Sequence, residues 1–186
     1  MKINILTLIL SVFASFAFGQ SMDESKGHFL VEFEKFSPPI QDMVRSFEGY
    51  PAEQFLANDI NGKEHYLDDY KGKKVVLWFW SVKNTIAVDQ ISAMTLLKEK
   101  YPKLKIIGFA KEPKSEVIDF LRQYPMEIDI IPNGEIFGQM AYGAEMGNPR
   151  MFMIDEFGII KIALPEEAFA DNSKLFISLE SILNGF

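Results

Sequence analysis

The sequence has no cysteine among its 186 residues. That excludes a disulfide framework, a thiolate nucleophile, a thiolate zinc site and a lipidated cysteine. Stability must come from packing instead. Histidine is nearly missing as well: His28 and His65 are the only two. They are too few for a histidine-rich transition-metal site and read as unrelated surface residues, so no metal centre is expected. Basic charge is short, with 19 lysines and arginines against 26 acids. A nucleic-acid partner needs basic surface to replace released counterions, and this balance argues against one. Finally, no stretch reaches the roughly 18 to 20 unbroken apolar residues that favour a membrane span. The nearest approach, Ile3 to Phe18, is interrupted by Asn4, Thr7, Ser11 and Ser15.

What is present is a globular balance, 48% hydrophobic against 24% charged, in a chain long enough for one domain with a true core. Residues 1–19 read as an export signal: Lys2 supplies the positive start, an apolar run follows, and Ala17 and Gly19 put small residues where a signal peptidase inspects them. Cleavage after Gly19 would leave 18 basic against 26 acidic residues and no stable membrane span. The expected location is periplasmic or secreted. Residues 20–48 form an extension in which Phe29, Val31 and Phe33 alternate with Leu30, Glu32 and Glu34, as in an edge strand. Ser37-Pro38-Pro39 breaks it, and a short helix follows.

From residue 49 onward the pattern is regular. Asn61-Gly62 lies between Asn58-Asp59-Ile60 and Lys63 to Leu67, which predicts a tight hairpin; a calcium loop is disfavoured because its regular ligand spacing and closing glutamate are missing. Val75 to Trp80, VVLWFW, is a run of β-formers without a polar break, as a strand covered on both faces requires. Ala87, Ile91, Met94, Leu97 and Tyr101 then recur at helical spacing until Pro102. Leu104 to Ala110 reads as a second buried strand. Pro113 opens another helix, carrying Val117, Leu121 and Tyr124. Met151 to Asp155 and Ile159 to Leu164 form a hairpin around Glu156-Phe157-Gly158, and Leu175, Leu179 and Ile182 mark a closing helix. Strand-helix-strand crossovers make parallel pairs with helices on the faces. The predicted fold is α/β, a central mixed sheet sandwiched by helices.

Four segments in this order resemble the thioredoxin-like superfamily, and within it the exported thiol-disulfide oxidoreductase and peroxiredoxin-related branch, TlpA-like and AhpC/TSA-like. They are Pro51-Ala52-Glu53-Gln54-Phe55, the Asn61-Gly62 hairpin running into Leu67-Asp68-Asp69-Tyr70-Lys71-Gly72-Lys73, VVLWFW, and Gly147-Asn148-Pro149 through Ile154-Asp155-Glu156-Phe157-Gly158. The resemblance implies a thioredoxin-like domain over 49–186. It also implies that Pro149 matches the family's cis proline beside the active-site loop. In the family a Phe-Trp strand end is followed by a Cys-x-x-Cys pair at the start of a helix. Here Phe79-Trp80 leads into Ser81-Val82-Lys83 and then Asn84-Thr85-Ile86-Ala87, so the two cysteine positions hold Asn84 and Ala87. The position that often carries a buried acid or amide for proton handling is Trp78. The run from Tyr142 to Pro149 is one residue longer than the family spacing.

A family cysteine reacts because a helix N-terminus lowers its pKa, and neither asparagine nor alanine can replace that thiolate. What remains is a vestigial loop, Lys83, Asn84, Thr85, Ile86 and Ala87, with Asn84 expected to cap the helix. With Asn148, Pro149 and Arg150 it would outline a locally basic groove able to hold an extended peptide or an anion. The opposing reading takes Lys83 and Arg150 as ordinary solvated charges. Three function classes follow: a redox-inactive envelope module that binds peptides or proteins as a holdase or assembly factor, an interaction unit using Phe29, Phe33 and Phe36, or an enzyme with non-thiol chemistry. For the last, no nucleophile beside a base, no phosphate-binding glycine loop and no cofactor motif is visible.

Overall fold

A computed structural model describes residues 38–144, 150–165, 179–180 and 183–185. The leader, His28, the strand expected over 29–34, Phe36, Asn148, Pro149, Leu175 and Ile182 lie outside the described residues. The short helix expected after the prolines is α1 (Pro38–Arg45). Next come β1 (Leu56–Asn58), β2 (Glu64–Tyr66) and a 3-10 turn, Leu67–Tyr70. They are followed by β3 (Val75–Trp80), α2 (Ala87–Lys100), β4 (Lys105–Ala110) and α3 (Lys114–Gln123). The chain continues through β5 (Asp129–Ile131), α4 (Glu135–Tyr142), β6 (Arg150–Ile154) and β7 (Ile160–Leu164).

All six residues of β3 are buried. The strand occupies the centre of a five-stranded sheet ordered β5-β4-β3-β6-β7, parallel to β4 and antiparallel to β6. Because side chains alternate along a strand, its two faces feed two separate cores. Val76, Trp78 and Trp80 join Ile91, Met94 and Leu97 of α2, together with Leu179 and Leu183 near the C-terminus. Val75, Leu77 and Phe79 join Val44, Phe55, Tyr142 and Phe152. The second core contains an aromatic cluster: Phe79 stacks on Phe109 at 5.0 Å, and Phe55 meets Phe109 edge-on at 5.0 Å. Fully burying each such side chain contributes about 1.5–3 kcal/mol.

The mixed sheet matches the sequence reading, with two elements added. β5 and α4 were not anticipated. β5 is three residues long and begins on an acid, while α4 carries Gly138 in its interior and stops where Gly143 takes φ 55°. The hairpin also differs in detail. Asn58 pairs with Glu64, which leaves a five-residue loop. Asp59 organises it by accepting hydrogen bonds at Oδ1 from the amides of Asn61 (2.8 Å) and Lys63 (3.0 Å). Gly62 alone takes a positive φ there, so Asn61-Gly62 is not a two-residue turn. His65 overturns its assignment to the surface: it is 0% exposed. It alternates inward on β2, where Asp59 and Tyr70 satisfy both ring nitrogens.

Gly108 lies on β4 opposite Trp78. Trp78 and Trp80 stack with centroids 4.7 Å apart, and a Cβ at Gly108 would stand 2.5 Å from Ile130 Cδ1 and 3.0 Å from the Trp80 indole nitrogen. Glycine is what lets both indoles share one face. Gly108→Ala is therefore expected to destabilise the domain by about 1–3 kcal/mol through overpacking, read as a lower urea midpoint.

Candidate functional site

β3 ends at Trp80, and the chain turns through Ser81 to Ile86 before α2 begins at Ala87. Ser81 is 4% exposed, and beside it lies the carboxylate of Glu112, 3% exposed, just beyond β4. Ser81 Oγ donates to Glu112 Oε1 at 2.5 Å, and the Val82 amide donates to Oε2 at 3.0 Å. The Lys83 amide donates to Ser81 Oγ at 3.1 Å, and the Asn84 amide to the Ser81 carbonyl at 3.1 Å. One buried carboxylate thus fixes the first two residues of the loop. Charge-assisted bonds of this kind are about twice as strong as neutral ones.

Asn84 does not cap α2. Its Oδ1 accepts the Ile86 amide at 3.1 Å and its carbonyl accepts the Ala87 amide at 3.1 Å, which closes a turn one step ahead of the helix. Asparagine favours this arrangement because its side chain mimics a backbone carbonyl two residues ahead. Ile86 then occupies the cap position without a side-chain hydrogen bond. Asn84 and Ile86 are half-buried, Thr85 is exposed and Ala87 is buried. The Lys83 ammonium pairs with Glu116 Oε2 at 2.8 Å. That hydrogen bond, with the attraction of the same carboxylate, raises its pKa. Lys83 thus forms an exposed ion pair with a neighbour on α3, of the kind that contributes little energy. Arg150 opens β6 opposite Phe79, so β6 enters the sheet at the end where β3 leaves it.

The Ser81–Glu112 pair was not visible in the sequence, which showed no nucleophile beside a base. Its geometry is structural. The Ser81 hydroxyl is enclosed, its oxygen also accepts an amide, and both carboxylate oxygens are engaged. The indole N–H of Trp78 is buried without a hydrogen-bond partner among the described residues.

The family model for AhpC/TSA proteins matches residues 49–163. The chain belongs to the AhpC/TSA family. It is similar to the thiol-disulfide oxidoreductase ResA of Geobacillus thermodenitrificans, 31% identical over 116 residues, which make up 61% of this chain and 66% of that protein. The match thus spans slightly less than two thirds of the relative's length. A Chlorobium tepidum structure assigned as thiol:disulfide interchange protein DsbE superposes with a TM-score of 0.65 at 20% identity, covering 74% of this chain and 96% of the other. A secreted Mycobacterium tuberculosis disulfide oxidoreductase does so at 0.54 and 16%, covering 70% and 96%. The fold is thioredoxin-like, as the resemblance implied, in a family of thiol chemistry to which this chain brings no cysteine.

Replacing Glu112 by leucine would strand the Ser81 hydroxyl and the Val82 amide. Each unpaired buried group costs about 1–3 kcal/mol. Glu112→Leu should lower stability accordingly and speed hydrogen exchange at Val82. Glu112→Gln, which can still serve both partners, should lose less.

Proposed function

We propose that this protein is a redox-inactive thioredoxin-like domain that works outside the cytoplasm and holds extended segments of partner proteins at the end of β3 and β6. The observation that carries this reading is the state of the loop after β3. Both family cysteine positions hold unreactive residues, yet the loop is pinned by a buried carboxylate. A loop with no remaining role could relax into solvent, whereas holding a buried charge in place is costly unless every partner is supplied.

Peptide recognition needs no sulfur. An extended segment can pair its backbone with the chain entering β6, while side chains settle against the loop from Lys83 to Ala87. Asn148, Pro149 and Arg150 would form the other wall. With Lys83 already paired to Glu116, Arg150 is the cation assigned to acidic or carboxylate groups on the bound segment. A holdase or assembly role follows from binding without turnover. The leader over 1–19 supports export, as does the likeness to a secreted disulfide oxidoreductase. Among the described residues, no helix is long and apolar enough to cross a membrane.

The test is a titration of the isotopically labelled mature chain with unfolded envelope peptides, followed by amide chemical shifts. Saturable changes should cluster at Ser81 to Ala87 and the start of β6. They should weaken several-fold in Arg150→Ala and little in Lys83→Ala. Peptides that leave these amides unmoved would remove the proposal.

A further inference from the structure

A second polar cluster lies at the opposite end of the sheet from this loop, where Lys105 opens β4 and Asp129 opens β5. The β1-β2 hairpin closes over it, with the Ile60 amide donating to the Ile130 carbonyl at 2.8 Å. His65, fully buried, donates from Nε2 to Asp59 Oδ2 at 3.1 Å, and the same nitrogen stands 3.9 Å from Asp129 Oδ1. On the other side of the ring, Nδ1 accepts the Tyr70 hydroxyl at 2.5 Å. Burial, reinforced by Asp129, Asp69 and Asp59, pushes the Tyr70 pKa up to about 12, so the phenol keeps its proton.

We propose that Asp59 Oδ2, His65 Nε2 and Asp129 Oδ1 form a binding site for one divalent transition-metal ion of the zinc type. The three atoms lie within 4.8 Å of one another. Ligand atoms around a tetrahedral ion with bonds of about 2.0–2.2 Å lie roughly 3.3–3.6 Å apart, so a small inward movement of Asp129 completes the triangle. Asp129 is 27% exposed at the first residue of a short edge strand, so its Oδ1 can turn inward while Oδ2 stays on Lys105.

The surroundings hold each ligand by its other polar atom. Asp59 Oδ1 is fixed by the amides of Asn61 and Lys63. His65 Nδ1 is fixed by Tyr70. Asp129 Oδ2 is held by the Lys105 ammonium, whose pKa burial lowers in spite of that ion pair. This pattern of outer partners is what orients ligands in metal centres and leaves the inner atoms available. Two carboxylate oxygens face the one ring nitrogen, Asp59 Oδ2 at 3.1 Å and Asp129 Oδ1 at 3.9 Å, and a divalent ion between them would answer both charges. One nitrogen and two oxygens suit zinc or cobalt. Calcium, which takes six to eight oxygens, finds too few, and thiolate-seeking ions find no sulfur. Three protein ligands leave a fourth position for water on the Asp129 side.

With the ion on Nε2, a ring proton can sit only on Nδ1, which faces the Tyr70 oxygen. The site involves none of the residues of the loop after β3, so its test is independent of peptide binding.

The experiment uses the full chain stripped with chelator and titrated with Zn²⁺ and Co²⁺. Calorimetry should give one equivalent, the thermal midpoint should rise, Co²⁺ should show visible absorption, and the His65 ring nitrogens should exchange tautomer by NMR. Asp129→Asn, at a partly exposed position that leaves the core intact, should abolish these signals. Tyr70→Phe should weaken binding about 10–100-fold, and His28→Gln should change nothing. Absence of stabilisation and of cobalt absorption, or binding equally strong in Asp129→Asn, would overturn the site.

Discussion

A strand without one polar side chain over six residues can exist only if the sheet is covered on both faces and the strand is paired on both edges. β3 imposes that condition on everything around it. β4 and β6 satisfy its backbone, α2 and the C-terminal leucines cover one face, and the aromatic cluster covers the other. The loop where a thiol family does its chemistry is the exit from that strand. Its position is therefore set by packing, independently of whether any sulfur is present.

What holds the loop locally is Glu112. Its two oxygens bind the hydroxyl and the amide of consecutive residues, Ser81 and Val82. Past that anchor the chain departs from a simple helix start. The side chain of Asn84 ties itself to the Ile86 amide and delays α2 to Ala87. The carbonyl of Asn84 meanwhile reaches the Ala87 amide, so Asn84 and Ala87 are the corners of one tight turn.

The sequence made the large apolar elements legible and left the polar ones hidden, for a physical reason. VVLWFW and the helical spacing from Ala87 to Leu97 declare burial through local pattern alone. His65 sits in the short stretch Glu-His-Tyr, where neighbours on both sides are exposed. Its burial depends on Asp59 across a loop and on Asp129 from a strand far along the chain. Glu112 lies in the charge-dense stretch Lys-Glu-Pro-Lys-Ser-Glu, which reads as solvated surface, and its partners are some thirty residues earlier in the chain. β5 was too short, and α4 too interrupted by Gly138, to leave a periodic trace. Buried polar groups are specified by distant partners, and distance in sequence is what a local pattern does not carry.

We propose that the chain keeps the frame of a thiol-disulfide site without its reactive atoms. Restoring the atoms tests it most directly, by measuring catalysed reduction of a protein disulfide for the native chain and for the double variant Asn84→Cys, Ala87→Cys. The native chain is expected to leave the uncatalysed rate unchanged, and the variant to form an internal disulfide and accelerate the reaction. Turnover by the native chain, or a folded double variant that remains inert, would contradict it.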